Sequence, residues 1–138
     1  MLRSIGAIVA GFIFIGVLSS GTDVLVIRAF PAAFNETGTT TDVPMLLLMA
    51  AYVAVYAIVG CYLTARLAPN HPMRHALILG ALGLILSLIV TASLWGTAPA
   101  WFHTVNLLLV MPYAWIGGRL RERQLARSGG TLSPAAVP

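Results

Sequence analysis

Ile5-Gly-Ala-Ile-Val-Ala-Gly-Phe-Ile-Phe-Ile-Gly-Val-Leu-Ser-Ser-Gly-Thr-Asp-Val-Leu-Val-Ile27 is an almost unbroken apolar run that carries one acid, Asp23, close to its far end. A helix rises about 1.5 Å per residue, so the run reaches roughly 35 Å and covers a hydrocarbon core of roughly 30 Å with modest tilt. The run exceeds the 7 to 15 apolar residues of a secretory signal and lacks a small-x-small exit, so it reads as a retained span. Working outward, three further apolar runs follow, at about Pro44 to Leu67, His75 to Leu94 and Trp101 to Leu120. The expected fold class is therefore all-α, an integral membrane bundle of four antiparallel helices. Residues Met1 to Arg127 make one domain, and Ser128 to Pro138 reads as a disordered tail.

Composition agrees with that reading. The 138 residues are 59% hydrophobic and only 9% charged, with a mean hydropathy of +0.91, far from the roughly 25% charged residues of a soluble domain. The net charge of +4 comes from arginine alone. Arg3, Arg66, Arg74, Arg119, Arg121, Arg123 and Arg127 fall on one side of a four-span topology, and only Arg28 falls on the other. Such asymmetry is a topology signal that places both termini in the cytoplasm, and it is no nucleic-acid footprint. Cys61 is a lone cysteine within an apolar run, so neither a disulfide framework nor Cys/His metal spacing is present. His71 and His75 lie four apart, but Pro72 between them makes His71 a turn residue, and no metal or other cofactor is expected.

The connectors are legible from their breakers. Ala29 to Val43 is polar and holds Pro31, Asn35, Glu36, Gly38 and Asp42, an aqueous loop on the outer side. Asp42 before Pro44 reads as a helix start. Asn35-Glu-Thr matches the short glycosylation acceptor pattern, a weak signal. Ala68-Pro-Asn-His-Pro72 is a tight turn, and Trp95 to Trp101 is an uncharged turn with a tryptophan at each side, as suits a headgroup boundary.

Polar and small residues supply the candidate sites. On the first helix Gly16, Ser19, Ser20 and Asp23 share a face. Gly80, Gly83 and Ser87 on the third helix make small-x-x-x-small patterns, and Gly117 lies in a stripe of the fourth; with Gly16 and Ser20 they are the expected packing residues. On the second helix Tyr52 and Tyr56 are spaced by four, and at that depth their hydroxyls need partners, with a backbone carbonyl the simplest. His103 and Asn106 open the polar stripe of the fourth helix, and Pro112 lies in its body, where a kink is expected.

Depth counting sets Asp23 and His103 at one level near the outer surface. A carboxylate beside an imidazole suits a proton relay, a cation site or an ion pair, with Asn106, Tyr52 and Tyr56 along the path; alternatively, Asp23 reaches the outer headgroups beside Arg28. The tail arginines read as a cationic collar at the membrane surface.

Arg3-Ser-Ile-Gly-Ala-Ile-Val-Ala-Gly-Phe, Ser20-Gly-Thr-Asp, Thr64-Ala-Arg-Leu-Ala-Pro, His71-Pro-Met-Arg-His-Ala and Trp115-Ile-Gly-Gly-Arg-Leu-Arg together resemble small four-helix integral membrane proteins of bacteria whose activity is not known. The resemblance implies a bacterial inner membrane and no particular chemistry. Small multidrug exporters are similar in size, but they use a glutamate in the middle of the first helix, where this chain has none. Two functions are therefore expected. The first is a non-catalytic subunit or interaction module of a membrane complex, self-associating or joined to other chains, with the lipid bilayer as its surroundings and no nucleic acid. The alternative is a small oligomeric proton- or cation-coupled transporter or channel built on Asp23 and His103.

Overall fold

The computed structural model of the protein describes residues 2–68 and 70–129. It is all-α: α1 (Leu2–Ala29), a single 3-10 turn (Pro31–Ala33), α2 (Val43–Leu67), α3 (Pro72–Ser93) and α4 (Ala100–Gly129). Proline and glycine set most of the boundaries. Pro31, which lacks an N–H and disfavours helical geometry in the residue before it, stands two residues past the end of α1, and Phe30 between them is non-helical. Asp42 is extended before α2, with Pro44 in the first turn, and its carbonyl rather than its carboxylate supports the helix by accepting from the Leu46 amide at 2.9 Å.

His71 adopts a left-handed conformation, φ 49°, immediately ahead of α3. Its carbonyl accepts from the Arg74 amide at 3.0 Å and lies 3.2 Å from the His75 Nδ1. α3 begins at Pro72 rather than at His75, because the fixed φ of proline is already helical. After α3, Gly96 takes φ 98°, a region open to glycine, and the Pro99 carbonyl accepts from the Phe102 amide at 3.0 Å as α4 starts. α4 continues through Pro112 and well past Leu120 to Gly129. Ser128 and Gly129 are thus helical, where a disordered tail was expected, and the rest of that tail, 130–138, lies outside the described residues.

α2 packs against each of the other helices, α3 likewise, while α1 and α4 are held mainly by those two. The buried apolar residues are mostly small: Ala7, Cys61, Ala65, Ala76 and Ala114, with Leu46 and Leu79 the larger ones. Large apolar side chains point outward instead, as with Val17 (64% exposed), Leu25 (66%) and Leu108 (70%). That distribution inverts the soluble rule and is what a lipid solvent permits, since helices in lipid gain from close backbone approach and not from hiding leucine. Three helices, α1, α2 and α3, are long and apolar enough to cross a membrane. α4 has the length but carries His103, Thr104, Asn106 and a basic end.

Glycines mark the closest approaches. A Cβ on Gly11 would stand 2.8 Å from the Gly60 carbonyl oxygen, and one on Gly117 would stand 2.7 Å from the Ile58 oxygen and 2.8 Å from the Tyr62 nitrogen. The first contact joins α1 to α2 and the second joins α4 to α2. Gly80 abuts Ala114 across α3 and α4, whereas Gly83 has only an ordinary 3.8 Å contact with Val110. Gly16, expected at a packing seam, has nothing within 4 Å.

Candidate functional site

Two side-chain bridges join α1 to α2 near the loop that connects them. The Tyr52 hydroxyl donates to the Asp23 carboxylate, and the hydroxyls of Thr22 and Tyr56 lie 3.0 Å apart. The four-residue spacing of the tyrosines places both rings on one face of α2, with centroids 5.9 Å apart and planes tilted by 42°. Adjacent residues on α1 meet that face, so one helical turn of α2 is pinned at two points. The phenols are satisfied by side chains rather than by a backbone carbonyl. Within a bilayer, polar groups placed this way are shielded from lipid by each other.

His103 lies elsewhere. Its ring stacks on Trp95 at 5.7 Å with planes 22° apart, and Phe102 meets it edge-on at 6.2 Å. Its Nε2 is closed off from solvent without a hydrogen-bond partner. Asp23 and His103 are joined by no hydrogen bond or ion pair among the described residues, and Arg28 makes none with Asp23. Equal depth is therefore not contact: Asp23 belongs to the α1/α2 seam and His103 to the turn that leads from α3 into α4. Asn106 uses its Nδ2 to donate to the Phe102 carbonyl at 2.8 Å.

A cavity of about 270 Å³ lies between the four helices. α1 contributes Phe12, Ile15, Gly16, Ser19 and Ser20, and α3 contributes Leu79, Gly80, Gly83, Leu86 and Ser87. Val53, Ala57 and Cys61 line it from α2, and Asn106, Val110 and Tyr113 from α4. Gly16, Ser20, Gly83 and Ser87 thus border a space, while Gly80 and Gly117 hold close seams. No group of three or more His, Cys, Asp or Glu among the described residues is arranged to hold a metal.

At the other end of the molecule the extension of α4 is tied to α2. Tyr62 donates to Gln124 Oε1 at 2.7 Å, and Arg121 donates to the same oxygen at 2.8 Å. Arg119 pairs with Glu122 at 3.3 Å and lies over the Trp115 ring at 5.4 Å. These contacts are exposed and hold the orientation of the helix more than its stability.

The bonding roles of Thr22, Thr64 and Gln124 are not legible in the sequence. Thr64 donates to the Ala7 carbonyl at 3.2 Å in a fully buried position. Thr22 and Thr64 lie one and two positions from Asp23 and Arg66, a signal too common in membrane helices to select, and Gln124 lies among the tail arginines beyond the apolar run. Comparison with protein families, with characterised proteins and with solved structures finds no match for this chain.

Proposed function

We infer that the chain is a four-span protein of a bacterial inner membrane that acts as a non-catalytic subunit or interaction module. The helices run antiparallel. Ala7, Gly11 and Thr22 on α1 meet Thr64, Gly60 and Tyr56 on α2, in opposite sequence order. Gly83 and Gly118 on α3 and α4 meet Val110 and Ala76 in the same reversed sense. α4 is the fourth span, and the seven arginines on the side of the termini favour the cytoplasm for both ends.

The observation that carries the functional reading is the use made of Asp23. The one acid within α1, α2 and α3 is engaged by Tyr52 inside the bundle and kept apart from His103, which supports a role in holding the fold over a proton relay. The outer surface supports association: Gly6 and Gly21 on α1 have nothing within 4 Å, so another helix can approach the α1 backbone there.

Purification of the tagged protein in mild detergent, with mass and composition read for the particle, tests this. Wild type is expected to run as an assembly larger than one chain. Asp23→Asn, which still offers Tyr52 an acceptor, is expected to leave it intact, and Gly21→Leu to reduce it to single chains. A wild-type particle containing one chain only would overturn the subunit reading.

A further inference from the structure

The cavity between the four helices is mainly apolar, with a few polar groups on its wall. Gly16 has open space where a side chain would begin, and at Gly83 the nearest atom to an added Cβ is 3.8 Å away. Larger residues at either position would occupy the space, so these two glycines keep it open. The wall is apolar apart from hydroxyls and one amide, and it contains no Asp, Glu, Lys or Arg. An ion would therefore lose its hydration without a counter-charge.

One polar group on that wall is both reachable and unpartnered. The Ser19 Oγ has no hydrogen-bond partner, but it is closed off and does not face the space. Asn106 engages its Nδ2 on α4 itself, and its Oδ1 has no partner among the described residues. A carbonyl oxygen left without a donor in an apolar, water-poor space is unfavourable, and a ligand hydroxyl that donates to it recovers the loss. The cavity also has an edge toward the surroundings. Phe12 and Leu86, each 43% exposed, belong both to its wall and to an outer apolar groove between α1 and α3. Access in a bilayer would thus be sideways, from the lipid.

The geometry points to a binding site for one small, uncharged, lipid-soluble molecule of one or two rings that bears a hydroxyl group. It enters between Phe12 and Leu86, lays its apolar body against Leu79 and Val110, and donates its hydroxyl hydrogen to the Asn106 Oδ1. Size sets the ring count: benzene occupies an apolar cavity of about 150 Å³, so about 270 Å³ takes a second ring and a polar substituent. This site does not depend on the assembly proposed above.

The test is equilibrium dialysis of radiolabelled 2-naphthol against the full chain in phosphatidylcholine nanodiscs, with empty nanodiscs measuring partition into lipid. One saturable site per chain above the partition background is expected, with naphthalene bound at least tenfold more weakly. The variant Asn106→Leu should weaken 2-naphthol about tenfold and leave naphthalene unchanged, and Gly16→Leu should abolish both. Near-native helix content and particle mass for Asn106→Leu confirm that a lost site is not a lost fold. Absence of saturable binding above empty nanodiscs, or equal binding of 2-naphthol and naphthalene that Asn106→Leu does not alter, overturns the proposal.

Discussion

Tyr52→Phe takes the donor from the Asp23 carboxylate and leaves the ring in place, so it isolates the hydrogen bond from the packing. Hydrogen bonds to charged groups are worth about 1.5–3 kcal/mol in water-soluble proteins and less between membrane helices, so the variant is expected to lose about 1–2 kcal/mol of stability. Asp23→Asn keeps an oxygen for Tyr52 and should cost less. Unfolding in mixed micelles reads both, and an Asp23→Asn loss larger than that of Tyr52→Phe would contradict the clamp. The need of these tyrosines for partners was legible from their spacing and depth. Their partner was not, because depth along the membrane normal ranks residues by level and leaves open which helix stands beside which. Asp23 lies roughly 9 Å from the end of α1, and Tyr52 roughly 14 Å into α2. His103 met the depth criterion as well, yet packs against Trp95.

Each helix was visible in the sequence as an apolar run bounded by Pro, Gly or a polar loop, because a bilayer demands length and continuity and breakers interrupt both. The errors fall where that demand lapses. α4 extends through Arg119–Arg127, beyond any apolar pattern, because Arg, Glu, Gln, Leu and Ala all favour helix and the Tyr62–Gln124 contact anchors the extension. Small residues were legible as a class, but their duties were not: the same Gly-x-x-x spacing serves the Gly80/Ala114 seam and the open wall at Gly16. Substitution separates the two. Gly11→Ala and Gly117→Ala drive a methyl into backbone atoms of α2 and are expected to cost about 2 kcal/mol each, within the range for overpacked interiors. Gly83→Ala meets only an ordinary contact and should be neutral or slightly stabilising, given the higher helix propensity of alanine. The same micelle unfolding measurement checks the contrast, and equal effects at all three positions would show that the α2 seams are looser than described.

Which side of the membrane the C-terminus occupies depends on α4. Three helices qualify as spans by length and apolarity, and three crossings would leave the termini on opposite sides of the membrane. Four crossings bring Arg3 and the Arg119–Arg127 segment together, with the polar loop that holds Asn35 and Glu36 on the far side. The polar character of His103 and Asn106 is compatible with a crossing because neither is left to lipid alone: the His103 ring stacks on Trp95, and Asn106 donates to the Phe102 carbonyl and lines the cavity. The most direct measurement is thiol labelling of intact right-side-out vesicles with a membrane-impermeant maleimide, in a Cys61→Ala background carrying either Glu36→Cys or Ala126→Cys. Four spans with cytoplasmic termini predict that position 36 is labelled from outside and position 126 only after permeabilisation. Labelling of both positions from outside would remove α4 from the membrane and contradict the account.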